Sequence, residues 1–175
     1  EDVRVPVRNR VGEENRGWYV GMTLLDFERS NISGAEGQRR SLSKLMDYLH
    51  TDEAVTTTRI ARLPALRAEI ADRQIDVEVA FQFSFRIVSM QGAGLVPNHE
   101  ASLCKLFQSE LAQRAARTGV KVFGLYANLW QASEAPLQAD FVHSYVSCVS
   151  ATIGGGTSEI QRTIIATCGL GLPRG

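Results

Sequence analysis

A run of three glycines, followed by hydroxyl-bearing and charged residues, lies near the end of this 175-residue chain. Residues 154–159 read Gly-Gly-Gly-Thr-Ser-Glu and lead into apolar residues at helical spacing. The first backbone N–H groups of a helix have no partner within the helix, and glycines before them allow a ligand to come close. Such a loop suits a phosphate, a carboxylate or a developing oxyanion. A plain turn between helices, with glycines at positive φ, fits the same spacing.

The residues around these glycines exclude two familiar phosphate-binding loops. No Gly-Lys-Ser or Gly-Lys-Thr sequence follows, as a P-loop would require. Glu159 stands where the dinucleotide-binding fingerprint has its third glycine, and no strand pattern precedes the loop. The loop is therefore a candidate ligand site of another kind.

Glu28 is a second candidate for chemistry because it lies within an apolar helical stripe. Leu24 and Leu25 precede it by four and three residues and Ile32 follows by four, so they share its face of the helix. Loss of water around a carboxylate raises its pKa, which suits a general base near neutral pH. A salt bridge to Arg29 or to a neighbouring helix is the structural alternative. Arg29 itself could bind a phosphate or carboxylate through both ends of its guanidinium, or be solvated at the helix periphery.

Histidines, cysteines and serines indicate no further site. Three histidines lie far apart without metal-binding spacing, so we expect no metal site: His50, His99 and His143. Three widely spaced cysteines lack a Cys-x-x-Cys pair, and their apolar neighbours predict small core residues in a reducing compartment: Cys104, Cys148 and Cys168. No serine lies in a nucleophile-elbow sequence, so a hydrolase triad has no support.

The charge balance argues against several classes of partner. The chain has 19 basic and 19 acidic residues, a net charge of zero, and no basic patch interleaved with aromatic residues. We therefore expect no nucleic-acid partner and no membrane partner. No apolar run reaches the roughly 18 residues that a transmembrane helix requires. Zero net charge gives little repulsion between copies, which fits a subunit that associates.

The elements that would position these residues are predicted to be helices. Apolar spacing indicates four or five long helices, at 18–50 (one helix or two in series), 64–91, 98–129, 137–153 and 157–168. Asn98 is the expected N-cap of the third, and Thr157 or Ser158 of the last. An alternating pattern at 2–7 predicts a short edge strand, and 51–58 a loop. The predicted fold class is all-α, an antiparallel four-helix bundle with a short N-terminal strand remnant and an extra C-terminal helix.

Apolar side chains along these helices are interpreted as core rather than as a cofactor site. On the helix at 64–91 they are Leu66, Ile70, Val77, Phe81, Phe85 and Val88. Trp18, Tyr19 and Trp130 are expected to anchor the packing. The helices alone identify no function.

Four stretches of the sequence resemble one enzyme family. Gly-Gly-Thr-Ser-Glu-Ile-Gln-Arg at 155–162, with the Ile-Ile-Ala and Leu-Gly-Leu-Pro-Arg that follow, resembles the C-terminal signature of acyl-CoA dehydrogenases. Residues 11–18 look like the junction between that family's middle β-domain and its C-terminal helical domain. Residues 25–29 resemble the start of its first C-terminal helix. Glu-Ala-Ser, Lys-Leu and Ser-Glu within 100–110 are similar to a later helix, so the resemblance spans the chain in order.

The resemblance implies that the chain is part of a longer flavoenzyme with three domains. Residues 1–15 would be the end of the middle β-domain and its linker, and residues 16–175 the C-terminal helical bundle. The family uses FAD to oxidise acyl-CoA thioesters between the α and β carbons and passes electrons to an electron-transfer flavoprotein. A carboxylate removes the α proton while hydride passes to flavin N5, and a backbone N–H and a ribityl hydroxyl polarise the thioester carbonyl. A bacterial, cytoplasmic enzyme is expected, and the isolated chain is expected to be inactive.

The resemblance also implies a role for individual residues. Many members have a glutamate base where this chain has Gly155, whereas a minority place the glutamate on the first long helix, just before an arginine. This chain resembles the minority, so Glu28 is expected to be the base and Gly155 the N–H donor to the thioester oxygen. Gly156, Thr157 and Glu159 would bind FAD: Thr157 and Glu159 at its ribose or pyrophosphate. Arg29 would lie near the base and the CoA moiety.

The sequence departs from the family pattern at two motifs that bind the FAD of the neighbouring subunit. Residues 40–58 lack an Arg-x-x-Phe-Gly motif, and residues 122–126 lack the double glycine of Gln-x-x-Gly-Gly. Similar losses occur in divergent bacterial members that act on bulky substrates such as sterol side chains, some of them paired heteromers. The expected assembly is therefore a homo-oligomer (dimer or tetramer) or a heteromer with a related subunit. A non-catalytic assembly subunit, and a flavin oxidase or monooxygenase with the same fold, are the alternative functions.

Overall fold

The computed structural model describes residues 2–28 and 30–174, and for residues 25–28 it describes the backbone alone. Its α-helices are α1 (Gly17–Glu28), α2 (Ile32–Tyr48), α3 (Glu53–Thr57), α4 (Ala65–Gly92), α5 (His99–Phe123), α6 (Asp140–Ser147) and α7 (Ser158–Ile164). Short 3-10 segments cover Val7–Asn9, Gly124–Asn128, Pro136–Ala139 and Cys148–Thr152, and a π-helical turn, Ile165–Gly169, follows α7. The described residues form an all-α fold, as the sequence predicts.

The two longest helices, α4 and α5, run antiparallel through the centre. Near the start of α4, Glu69 accepts a hydrogen bond from Lys121 near the end of α5. Farther along α4, Ser84 accepts one from Gln108 in the first half of α5. Residue numbers therefore increase in opposite directions along the two helices.

The outer helices complete the antiparallel bundle. Along α2, Asn31 contacts Gln108 and Tyr48 contacts Phe123, so α2 runs parallel to α5 and antiparallel to α4. The ring of Phe141 at the start of α6 packs on Phe123 at the end of α5, with ring centroids 5.8 Å apart. Helices α2, α4, α5 and α6 thus form the predicted four-helix bundle, and α7 is the extra C-terminal helix.

The expected N-terminal strand is absent. Residues 2–6 have no regular secondary structure, and Val7–Asn9 forms a 3-10 turn with exposed side chains. A strand needs a second strand for its ladder of hydrogen bonds, and the described residues contain none. The alternating pattern was therefore insufficient to predict a strand within this chain.

The segment 18–50, which was expected to form one helix or two in series, forms two helices. Helix α1 ends at Glu28 and α2 begins at Ile32, with Asn31 in the left-handed region at φ 44°. The glycines inside α2 do not break it. The segment 51–58, which was expected to be a loop, contains the five-residue helix α3.

The later helix boundaries also differ from the pattern. Helix α5 ends at Phe123, and the helix expected at 137–153 is reduced to α6 between two 3-10 segments. Asn98 provides no side-chain cap; instead, its backbone N–H donates to Glu100 at 3.3 Å. Apolar periodicity continues through these breaks, and for that reason it overestimates the helix lengths. No helix in the described part of the chain is both long and apolar enough to cross a membrane.

The core lies between α2, α4 and α5 and extends beneath α6. On α4, Leu66, Ile70, Val77 and Phe81 are buried as expected. Phe85 and Val88 are half-exposed, against expectation, because α2 and α5 cover a different side of α4.

The expected aromatic anchors and two of the expected core cysteines are also exposed to some degree. Trp18, Tyr19 and Trp130 are mainly exposed, since α1 and the loop after α5 lie at the edge of the bundle. Cys104 is buried in α5, but Cys148 is only half-buried and Cys168 is exposed, because they lie in turns at helix ends. All three are free thiols.

Candidate functional site

The glycine loop leads directly into α7 and is fixed by the cap of that helix. Thr157 is the N-cap residue, and its Oγ1 accepts a hydrogen bond from the Ile160 N–H at 3.3 Å. Of the two expected caps, Thr157 therefore provides the bond, and Ser158 is a buried first residue of the helix.

The carbonyl groups of the loop are held by two side chains that sequence reasoning did not select. Gln161 Nε2 donates to the Gly155 carbonyl at 3.0 Å and to the Gly156 carbonyl at 3.4 Å. Lys105 Nζ, on α5, also donates to the Gly156 carbonyl. Both glycines have positive φ, 68° and 93°, so the chain turns sharply here.

The backbone N–H groups of Gly155 and Gly156 have no hydrogen-bond partner among the described residues. The bond from Gln161 to the Gly155 carbonyl fixes the peptide plane that also carries the Gly156 N–H, while that donor stays available. The Gly155 N–H lies in the preceding peptide plane, at the start of the held segment. Fixed N–H groups of this kind are suited to stabilise a negatively charged oxygen.

Gly155 lies beside an open cavity of about 340 Å³. The cavity is lined by the start of α5, the glycine loop and α7: Asn98, Ala101, Ser102, Lys105, Gly155, Gln161 and Ile164. A side chain at position 155 would meet only Lys105 Cε, at 3.9 Å. Burial lowers the pKa of Lys105 below its ordinary value, because the ammonium loses water while it points at the loop.

Glu159 does not line this cavity. Its side chain is exposed and borders a groove shared with Glu110, Arg117 and Arg162. Its own backbone N–H, then the Thr157 hydroxyl, lowers the pKa of the Glu159 carboxyl. Gly155, the expected donor to the thioester oxygen, and Glu159, an expected FAD contact, therefore border two different surfaces.

Glu28 is the last residue of α1, but its side chain and the whole of Arg29 lie outside the described residues. The corner that follows is described and is attached to α5. The Ser30 carbonyl accepts from Cys104 Sγ at 3.5 Å, and Asn31 Nδ2 donates to Gln108 Oε1 at 2.6 Å. The corner after Glu28 and the glycine loop thus contact the same short segment of α5, around Lys105.

Lys105 and Gln108 could have been found from sequence by the reasoning that selected Glu28. Gln108 follows Cys104 by four residues and precedes Leu111 by three, so it is a polar residue on the buried stripe of α5. The partners of these polar groups lie 51 and 77 residues away in sequence, and only the fold identifies them.

The histidines do not form a cluster in the described part of the chain. His50 Nδ1 contacts the Met46 carbonyl, His143 Nε2 contacts the Trp130 carbonyl, and His99 lies beside Glu100. Among the described residues there is no group of three His, Cys, Asp or Glu side chains that could hold a metal ion.

Comparison with known proteins gives a consistent family match. Residues 15–170 match the model described as "Acyl-CoA dehydrogenase, C-terminal domain". Acyl-CoA dehydrogenase FadE26 of Mycobacterium tuberculosis is 35% identical over 178 residues, which cover 99% of this chain and 44% of that protein. The caffeyl-CoA reductase–Etf complex subunit CarC of Acetobacterium woodii is 28% identical over 171 residues, covering 95% and 42%. The chain therefore spans less than half the length of these relatives.

Among solved structures, the fold matches the ChsE4–ChsE5 complex from M. tuberculosis. The TM-score is 0.75 at 35% sequence identity, and the match covers 99% of this chain and 45% of the other. That structure is a complex of ChsE4 with ChsE5.

Proposed function

Because this chain belongs to the acyl-CoA dehydrogenase family, whose C-terminal helical domain it forms, we propose that it is part of an FAD-dependent acyl-CoA dehydrogenase with Glu28 as the base. The reaction is α,β-dehydrogenation of an acyl-CoA thioester. Residues 1–15 are the end of the preceding β-domain and its linker, and residues 16–175 are the helical bundle. The unpaired N–H groups of the glycine loop are the single observation that carries this proposal.

The glycine loop supplies the oxyanion-stabilising part of the site. Removing a proton from the carbon next to a thioester moves negative charge onto the carbonyl oxygen. The Gly155 N–H donates to that oxygen, and the bonds from Gln161 and Lys105 to the carbonyls of Gly155 and Gly156 hold the segment that directly follows the donor. A donor that is fixed before the reaction needs no reorganisation when the charge develops.

Glu28 supplies the base, because Gly155 has no side chain that could accept a proton. Glu28 lies two residues before Ser30, and the Ser30 carbonyl accepts a hydrogen bond from Cys104 Sγ on α5. The loop is held by Lys105, the next residue of the same helix. The corner that follows the proposed base and the loop that carries the N–H donor therefore come from opposite ends of the chain but attach to one turn of α5. This shared attachment supports a base and a donor that act on one thioester.

The residues of the loop fit FAD as the cofactor. The free N–H group of Gly156 fits the oxygen-rich ribityl and pyrophosphate parts of a flavin dinucleotide. Gly156, Thr157 and Glu159 are assigned to FAD binding and Arg29 to the CoA moiety. Bound FAD supplies the hydride acceptor that the side chains of this chain lack.

The partners proposed for the whole protein are an electron-transfer flavoprotein and one or more further dehydrogenase subunits. The similarity to a subunit of a reductase–Etf complex supports the first, and the similarity to the ChsE4–ChsE5 complex supports a heteromer. A homo-oligomer of two or four copies is the alternative assembly.

Flavin reduction in the full-length protein tests the proposal. Glu28→Gln keeps the size of the side chain but removes the base, so the rate of flavin reduction by a reactive acyl-CoA should fall about 100- to 10,000-fold. FAD content should stay at the parent level. Glu36→Gln is the matched control, because Glu36 on α2 is paired with Arg39 and Arg40 and should change the rate little. Parent-level reduction by Glu28→Gln would show that the base is another residue.

A non-catalytic subunit of a heteromer is the second candidate. It is favoured by the absence at 40–58 and 122–126 of the motifs that bind a neighbour's FAD. In that case the full-length protein would copurify with a related subunit and lack flavin absorbance of its own. Peroxide production in air would indicate an oxidase or monooxygenase instead.

A further inference from the structure

A buried polar cluster lies beneath the corner between α1 and α2. It consists of Ser84 on α4 and Cys104 and Gln108 on α5, with 0%, 0% and 4% of their surface exposed. Buried polar side chains cost free energy unless they are hydrogen-bonded, so a cluster in an otherwise apolar core needs a structural reason.

The carboxamide of Gln108 uses both of its N–H donors and one of the two lone pairs of its oxygen. Its Nε2 donates to Ser84 Oγ at 3.0 Å and to Cys104 Sγ at 3.3 Å. Its Oε1 accepts from Asn31 Nδ2 at 2.6 Å. The amide therefore has a fixed orientation, and its single acceptor atom is directed at the corner residue Asn31.

The corner is shaped to place the Asn31 side chain against Gln108. Asn31 has φ 44° and ψ 34°, a left-handed conformation that asparagine adopts more readily than most residues. Its carbonyl accepts the N–H groups of Gly34 and Ala35, which begins α2. A Cβ at Gly34 would lie 2.8 Å from both Asn31 Nδ2 and Oδ1, so glycine leaves the space that the Asn31 side chain occupies.

A second bond fixes the preceding residue of the corner. Cys104 Sγ donates to the Ser30 carbonyl, so both Ser30 and Asn31 are attached to α5 within one helical turn. Glu28 lies only two residues before Ser30, at the end of α1. Any shift of the corner relative to α5 therefore moves the end of α1, and with it the backbone that carries Glu28.

We propose that Gln108 and Asn31 are positioning residues that hold the end of α1, and thus the base Glu28, at a fixed distance from the glycine loop. The inference rests on the proposed function. Lys105 attaches the loop to the same turn of α5, so that turn sets the separation of base and N–H donor. Neither Gln108 nor Asn31 contacts the reacting atoms.

Paired substitutions in the full-length protein test this role. Gln108→Met keeps the length of the side chain without its polar atoms, and Asn31→Gly keeps the left-handed backbone without the amide. Each should lower the limiting rate of flavin reduction at saturating acyl-CoA about 10- to 100-fold, because a small displacement of a catalytic group is costly. The double variant should be no slower than the slower single variant, because each single variant already removes the bond between Asn31 and Gln108. Substrate affinity and FAD content should change less than about threefold, as neither residue binds a ligand.

Tyr48→Phe is the matched control for a purely structural loss. It removes another buried bond, Tyr48 to Thr57 at 2.7 Å, at the far end of α2. It should lower the melting temperature by a few degrees, as Gln108→Met does, while the limiting reduction rate stays at the parent value.

The outcomes separate this inference from the proposed function. Parent-level reduction rates in both Gln108→Met and Asn31→Gly, with Glu28→Gln inactive, would overturn the positioning role alone. An equal loss of rate in Tyr48→Phe would also overturn it, since any core damage would then suffice. Activity in Glu28→Gln would overturn the proposed base. If Gln108→Met does not fold, Asn31→Gly at the exposed corner decides the question.

Discussion

Gly155 and Gly156 have the same kind of backbone conformation but different surroundings. Both have positive φ, which residues other than glycine adopt at a cost of roughly 1–2 kcal/mol. Position 155 opens toward the cavity, whereas a Cβ at position 156 would lie 2.5 Å from Gln161 Nε2. Only the second glycine is therefore also required by packing.

Alanine substitution should distinguish these two requirements. Gly155→Ala should lower the free energy of unfolding of the full-length protein by about 1 kcal/mol, from backbone strain alone. Gly156→Ala should lower it by about 2–3 kcal/mol, because it also displaces Gln161 from the loop carbonyls. Chemical denaturation measures both values. Equal losses would mean that the bonds from Gln161 do not stabilise the loop.

At the scale of elements, α5 connects the bundle to the candidate site. Its first half holds the α1–α2 corner and the glycine loop, and its second half packs against α6. Helix α6 approaches α5 closely at Gly119, where an added Cβ would lie 1.9 Å from Phe141 Cδ1. Glycine at this position lets the Phe141 ring contact the backbone of α5.

Two glycines inside helices should therefore respond oppositely to alanine. Gly119→Ala should lower the free energy of unfolding by about 1–3 kcal/mol, because the ring cannot move away in a packed core. Gly37→Ala in α2 should raise it by about 0.5–1 kcal/mol, because an added Cβ meets nothing within 4 Å and alanine favours a helix. Thermal unfolding of the full-length variants measures both. Equal destabilisation by both substitutions would contradict the close approach of α5 and α6.

At the scale of the whole molecule, we expect the chain to provide one side of a site. Large apolar side chains are exposed on α1 and α4, among them Trp18, Leu24 and Phe85. We expect some of these side chains to lie on faces that contact other protein, where large apolar patches are typical. The relatives it matches are more than twice as long, which agrees with a site completed by further domains.

Residues 1–175 expressed alone should therefore bind FAD weakly and lack activity. The loop supplies a few N–H donors, but most of the surface that would surround a flavin and an acyl chain lies elsewhere in the proposed enzyme. Flavin absorbance after gel filtration with excess FAD measures binding, and a circular dichroism spectrum controls for helix content. Stoichiometric flavin on the isolated chain would contradict the prediction.

The sequence by itself determined the helical fold, the approximate positions of the long helices and the glycine loop before the last one. These features are local: apolar residues recur every three to four positions, and Thr157 caps the helix that follows it. Short sequence motifs also indicated the family. The sequence left open whether 18–50 is one helix or two, and it did not predict the end of α5 at Phe123, because apolar periodicity does not stop where a helix does.

Only the tertiary structure decided which apolar faces are covered and what holds the site together. Phe81 and Phe85 lie on the same helix and have the same chemistry, yet one is buried and the other half-exposed, because burial depends on distant segments. Gln161 holds the loop from five and six residues away, but Lys105 and Gln108 act on residues 51 and 77 positions distant. Contacts over such separations leave no periodic signal in the sequence, and they exist only once α5 has packed between the two ends of the chain.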